Sequence, residues 1–481
     1  MDTAIAISPL LITSAAAVVL MLVIAIKRSH ALTCILALLG LAAAFASVLL
    51  ASSAPPREVN SFLILDSYSY LYIAILLIAA AFVFLFSYDY LNRRQEHREE
   101  FYLLVLLATT GAMVLAASRS FASLFLGLEL LSVALYALIA YLRSETTCIE
   151  AGIKYLVLAA SSSAVLLFGL ALIYSESGSM ELSQFAAMVH QGGQGSSIVL
   201  LTGLVLALAG IGFKLAVVPF HLWTPDVYEG APLPVTAFIA TVSKGGMFAL
   251  VLRWLYATGT GLSGALGTVL VVMAIASMLA GNLLALRQNN VKRILAYSSI
   301  AHMGYLLVAL LAGGALGAAA ATYYVAAYFA TILGAFGAMT ALSGARWEAA
   351  SIESYRGLFW ERPFVAAAFT TMLLSLAGIP LTAGFLGKFY ILTAGVSQSR
   401  WLLLFTLVLS STIGLFYYLR IIAAMYAAPA EHVRIEDSRA ESIPLTATVA
   451  LAALTGLVLL LGVYPAAVWG LIVEATHTLG G

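Results

Sequence analysis

Long apolar runs broken by short polar connectors repeat along the whole chain. Reading each run as a helix predicts spans near 4–26, 31–52, 67–88, 101–117, 120–142, 151–174, 197–219, 232–256, 262–285, 292–312, 316–342, 363–391, 401–427 and 443–472. Most of these fourteen runs have the roughly 20 residues that cross the hydrocarbon core of a bilayer. The least marked boundary is at Arg119, where the fourth and fifth runs nearly join. The predicted fold class is therefore an all-α polytopic membrane protein. Its longest connectors, around 175–196, 343–362 and 428–442, are too short to fold as separate domains.

Composition agrees. Of 481 residues, 63% are hydrophobic and only 9% charged, against about 25% charged in soluble domains, so a soluble fold is excluded. A net charge of +1 without a basic run leaves nothing to neutralise nucleic-acid phosphates. Cys34 and Cys148 form no CxxC or metal-binding spacing, so no metal, haem or iron–sulfur site, and no redox centre, is expected in this chain. The first run, Ala4 to Ile26, is longer than a signal-peptide core and has no basic residue before it. It reads as a retained helix.

Charge also orients the spans. With cations at span ends assigned to the adjoining loop, odd-numbered loops hold fourteen Lys and Arg, including Arg93, Arg94, Arg346, Arg434 and Arg439, and even-numbered loops hold four. Cytoplasmic loops carry the excess of Lys and Arg. Both termini and the loop with His190 are thus expected on the periplasmic side.

Five cations remain inside predicted spans: Lys154, Lys214, Lys244, Lys388 and Arg420. A cation at bilayer depth costs about 2.5–3.5 kcal/mol on insertion scales, so such groups line polar paths or pair with one another. Four of the five are lysines, although lysines number six in the chain against seventeen arginines. Arginine keeps its proton, whereas a buried lysine can release one. This set suits proton transfer. Lys154, near a helix start, reads equally as a snorkelling or statically paired residue, and Arg420, near a helix end, as a snorkelling one. Among carboxylates only Glu129 sits squarely within a predicted span, making it the expected ion-pair partner of a buried lysine.

Two segments carry helix breakers beside these lysines. Gly210, Gly212, Pro219, Pro225, Pro232 and Pro234 surround Lys214, and Gly378, Pro380, Gly384 and Gly387 precede Lys388. Irregular backbone at membrane depth is tolerated where it lines an internal cavity. LALAGIG at 206–212 echoes LSLAGIP at 374–380, five of seven residues at an offset of 168, with five helices between them. An odd separation reverses direction across the membrane, as in inverted repeats. His221 and His302 complete the polar set, each readable as a proton-path group or as a hydrogen-bonded interior histidine. Tyr297, Ser298, Ser299 and Thr241 offer hydroxyls beside them, for water or for interhelical packing.

FYLLVLLATTGAMVLAAS, SLFLGLELLS, GFKLAVVPFHLWTPDVYEGAPLPVTAFIATVSK, NVKRILAYSSIAHMGYLL, SYRGLFW and SLAGIPLTAGFLGKFY, taken together, closely resemble the subunit N family among the antiporter-like membrane subunits of bacterial proton-pumping NADH:quinone oxidoreductase, respiratory complex I. The likeness runs from about Phe101 to Tyr426, and the fourteen-span plan extends it. It implies a three-helix N-terminal segment at 1–100, a first antiporter-like repeat at 101–260 (spans 4–8, with span 7 broken), a second, inverted repeat at 261–430 (spans 9–13, with span 12 broken), and a final helix at 431–481. It also implies proton translocation through Glu129, Lys214, Lys244 and Lys388, with Lys154, His221 and His302 as further path candidates. No cofactor is expected in this chain; FMN, iron–sulfur clusters and quinone belong to the wider complex. The implied partners are the other antiporter-like and small membrane subunits of complex I, lipids and the transported proton, in the bacterial inner membrane. Subunits of multisubunit Na+/H+ antiporters and membrane-bound hydrogenases remain an alternative, although they read more like WLPxAHxxAP where this chain has WTPDVYEGAP. A non-pumping scaffold would have little use for four costly lysines. A transporter of an organic solute is the remaining alternative, but no charged or aromatic binding motif suggests a solute.

Overall fold

The computed structural model describes residues 2–53, 55–94, 97–182, 184, 197–257, 265–345, 347–429 and 443–479. His190, Arg346, Arg434 and Arg439 lie outside the described residues. Thirteen of the described helices are long and apolar enough to cross a membrane: Ser8–Ile26, His30–Ala51, Ser67–Asn92, Glu99–Ala117, Phe121–Ile139, Thr146–Ser177, Ile198–Leu215, Leu233–Tyr256, Leu266–Leu286, Val291–Ala312, Gly314–Leu342, Trp401–Tyr426 and Leu445–Val463. The twelfth predicted span is instead two shorter helices, Pro363–Ala377 and Ala383–Ser397. Every predicted run thus has its helix or helix pair.

The fourth and fifth helices are separate, and local chemistry explains why. The Ser120 side chain accepts from the Ser123 amide, and the Ser123 hydroxyl accepts from the Ser120 amide, both at 3.2 Å. That reciprocal cap starts a new helix at Phe121. Two features had no counterpart in the apolar pattern. A short hairpin pairs Arg57–Val59 with Leu63–Leu65 in the second loop, and a π-helical turn occupies Ile239–Ser243 in the eighth span.

Packing sorts these similar helices into inner and outer ones. The eighth is 100% buried and the tenth and eleventh 94%, whereas the first, sixth and fourteenth are only 33% buried. Helices apolar all round give no stripe from which that order could be read. Gly314–Leu342 is rich in Gly and Ala, which lets neighbouring backbones approach closely. It touches the eighth and tenth helices, both halves of the twelfth, and the fourteenth. Lys244 and His302 therefore sit on inner helices, enclosed by protein.

Candidate functional site

Helix Ile198–Leu215 stops where Ala216 adopts the left-handed conformation, φ 60°, and the chain resumes as Trp223–Gly230. Lys214, in the last turn before that break, is 4% exposed. Its ammonium donates to Ser132 Oγ at 3.1 Å and to the Tyr155 hydroxyl at 3.0 Å. Glu129 lies three residues before Ser132 on helix Phe121–Ile139, so the two share a face. Its charge reaches Lys214 through space, yet its buried Oε1 has no hydrogen-bond partner among the described residues. The contact ion pair expected from the sequence is thus not formed in this conformation. Ser132 and Tyr155 hold Lys214 instead, because their hydroxyls are nearer.

Lys244 follows the π-helical turn directly and is 1% exposed. A π turn inside an α-helix is a rare distortion found mostly at functional sites. The Lys244 ammonium donates to Ser299 Oγ at 2.7 Å and lies 5.5 Å from the centre of the Tyr228 ring. Ser299 also receives the Tyr328 hydroxyl at 2.8 Å and lies 3.3 Å from that of Tyr228. One helical turn on, His302 meets the Tyr324 hydroxyl through Nδ1 at 2.7 Å and that of Tyr418 through Nε2 at 3.4 Å. Its ring centre is 5.1 Å from that of Tyr328. Hydroxyls both donate and accept, and they surround these basic groups in two adjacent clusters, Lys244 with Ser299, Tyr328 and Tyr228, and His302 with Tyr324 and Tyr418.

Lys388 closes the series. It donates to the carbonyls of Leu376 and Ala377, both at 2.9 Å, and to Ser411 Oγ at 2.7 Å. Those carbonyls end the first half of the broken twelfth helix, and a cation there is favoured by the orphan oxygens and the helix dipole. Gly378 supplies the turn with φ +86°, and a Cβ there would come within 2.9 Å of Lys388 Cδ. Only glycine meets both demands. The left-handed residues at the two breaks, Ala216 and Gly378, are 162 positions apart.

Other candidates fall outside this buried set. Lys154 is 45% exposed and paired with Glu150 at 2.8 Å and Asp226 at 3.1 Å. His221 is buried in the turn between the two halves of the seventh span, and its Nδ1 has no partner among the described residues. Arg420 donates to the carbonyls of Leu286 and Gln288, sealing the end of the ninth helix. Thr241 spends its hydroxyl on the Ala237 carbonyl at 2.7 Å and holds no neighbour.

Sequence reasoning missed the buried tyrosines and two buried ion pairs. Of the twelve largest fully buried side chains among the described residues eleven are tyrosines, and a buried phenol needs a partner; their number in apolar runs was the available signal. Arg253 and Lys292, at the ends of predicted spans and so counted with the adjoining loops, lie within helices and are buried. Arg253 grips Asp66 with two bonds of 2.9 and 2.8 Å. Lys292 meets Glu348 at 2.6 Å. Burial alone raises the Asp66 and Glu348 carboxyls, but the charge and hydrogen bonds of Arg253 and Lys292 outweigh it and hold both below the usual range. Asp66, the N-cap residue of helix Ser67–Asn92, and Glu348, in the loop after Gly314–Leu342, are thus buried carboxylates at span ends, whereas Glu129 lies within its span.

A bundle of membrane helices with two broken spans and buried lysines beside the breaks defines an antiporter-like polytopic membrane protein. The family described as NADH:quinone oxidoreductase/Mrp antiporter, TM, matches residues 118–414. A protein named NADH-quinone oxidoreductase subunit N from Ectopseudomonas mendocina is 48% identical over 429 residues, 88% of this chain and 86% of that protein. One of the same name from Chromohalobacter salexigens is 45% identical over 469 residues, 97% of this chain and 98% of that protein. The chain belongs to the subunit N family of NADH-quinone oxidoreductase. Among solved structures, a chain of respiratory complex I from Thermus thermophilus with bound aureothin superposes with a TM-score of 0.82 at 34% identity, covering 96% of this chain and 98% of that one. A chain of the Mrp complex from a Dietzia species gives 0.86 at 21% identity, covering 100% of this chain and 97% of that one, and shares its fold.

Proposed function

We propose that this chain carries protons through the membrane arm of a bacterial respiratory complex I, driven by NADH oxidation and quinone reduction in other subunits. The observation that supports this reading best is the set of buried basic groups, Lys214, Lys244, His302 and Lys388, each held by hydroxyls: Ser132 and Tyr155, Ser299, Tyr324 and Tyr418, and Ser411 respectively. FMN, iron–sulfur clusters and quinone belong to partner subunits, the neighbours are further membrane subunits, and the site is the inner membrane. Mechanistically, Lys214 changes between compensation by Glu129 and separation from it. When it separates, its charge repels a proton on Lys244. At an effective dielectric of about 20, unit charges ~8 Å apart interact by about 2 kcal/mol. A proton crossing a full potential meets ~2.3 kcal/mol per 100 mV, so several such pairs must act in series.

Glu129→Gln, Lys214→Met and the double variant, assembled and reconstituted in vesicles, test the coupling. Strongly non-additive losses of proton pumping are expected, since the two groups act as one unit. Additive losses, or normal pumping by assembled Glu129→Gln, would overturn it.

The charge asymmetry places Arg94 in the cytoplasm and His190 outside. A cysteine introduced near His190 should react with an impermeant reagent in intact cells, and one at Arg94 should not. Cys34 and Cys148 are buried and leave a low background. The reverse labelling pattern would invert the orientation.

A further inference from the structure

The second half of the broken seventh span and the helix that carries Lys244 are joined by two residues, Ala231 and Pro232. One buried ion pair holds that joint from both sides. Lys292 donates to the Ala231 carbonyl at 2.7 Å and to Glu348 Oε2 at 2.6 Å. Glu348 Oε1 accepts from the Leu233 amide at 3.2 Å and from the Tyr90 hydroxyl at 2.5 Å. Pro232, between these two grips, has no amide to offer.

The same helix, Val291–Ala312, carries both ends of the lever. Lys292 sits in its first turn, and Ser299, which receives Lys244 and lies beside Tyr228, sits seven residues on, on the same face about 10 Å away along the axis. Tyr228 is three residues before the gripped carbonyl. Any slip at the joint therefore moves Tyr228 and Lys244 against Ser299. Stability alone does not account for the pair, because a buried ion pair is often no better than an apolar replacement, whereas fixing one register is its best-attested use.

We infer that Lys292 and Glu348 form a positioning clamp on the Ala231–Pro232 joint that sets Tyr228 and Lys244 in register with Ser299. The inference rests on the reading of Lys244 as a proton carrier. It makes Lys292 and Glu348 positioning residues for proton transfer, without their exchanging a proton.

The test uses the assembled complex in vesicles, measuring NADH:quinone turnover and protons moved per electron. Lys292→Met and Glu348→Gln each leave a buried charge alone, so the amount of assembled complex falls. The double variant Lys292→Met/Glu348→Gln removes both charges and should recover assembly. Its proton-to-electron ratio should nevertheless stay below the wild-type ratio, by up to the share that this chain carries. A double variant that pumps at the wild-type ratio would show that the pair only neutralises itself, and would overturn the clamp. Glu348→Asp covers the case in which the double variant does not assemble. It keeps the charge beside Lys292 but is one methylene too short to hold Leu233 and Tyr90 as well. A lowered ratio in assembled Glu348→Asp supports the clamp, and an unchanged ratio overturns it. Lys244→Met serves as the control: wild-type pumping there would sink the proton-carrier reading, whereas loss there with normal Glu348→Asp pumping would sink only the clamp.

Discussion

Replacing Lys244 by methionine is expected to abolish proton transfer through this chain and to lower coupled NADH:quinone turnover, since a lost acid–base group slows the step it serves by about 10²–10⁴-fold. Methionine fills the space of the lysine stem but holds no proton, so Ser299 loses its 2.7 Å donor while the enclosing packing stays. Assembly and electron entry from NADH into artificial acceptors should change little. Lys244→Arg should fail too, because guanidinium does not give up its proton and its planar fork does not fit a pocket shaped for one ammonium. Full pumping in an assembled Lys244→Met complex would remove Lys244 from the path.

Arg253→Met is expected to be the most damaging change to assembly. Arg253 makes a two-pronged bond with Asp66, bonds Ser69 Oγ at 2.8 Å and stacks over the Tyr68 ring at 4.7 Å. Removing one partner leaves the Asp66 carboxylate buried and uncompensated, a cost of about 3–5 kcal/mol. Asp66 is also the N-cap of helix Ser67–Asn92, accepting from the Ser69 amide at 2.8 Å, so Asp66→Asn should be milder than Asp66→Leu. Removing both charges, as Asp66→Asn/Arg253→Met, should restore much of the assembled complex. Because the Asp66 pKa is lowered in the folded chain, its contribution is fully present above the unfolded value near ~3.9 and is lost as pH falls through the lower folded value. Membrane levels of the assembled complex, compared across the four variants, check this. Equal recovery of single and double variants would mean that the pair is not what holds the helix ends together.

The sequence by itself determined the number of helices, the separation of the two broken ones and the membrane class. Those properties follow from hydropathy and from Pro and Gly, which act within one or two turns. It also singled out Lys214, Lys244, His302 and Lys388, because a charge or imidazole in an apolar run is costly wherever the run ends up. It could not say which lysine is enclosed. Lys154, near a helix start, already read as a paired residue as readily as a path residue, but only packing puts it on an outer helix beside Glu150 and Asp226 and puts Lys244 on a helix that is 100% buried. The partners of each group were likewise hidden. Lys244 meets Ser299 and Arg253 meets Asp66, 55 and 187 residues away, and such pairings are set by helix packing rather than by local pattern. The π-helical turn before Lys244 was invisible for the same reason. Only the tertiary structure decided these matters, since a membrane helix that is apolar all round does not encode which of its faces will be buried.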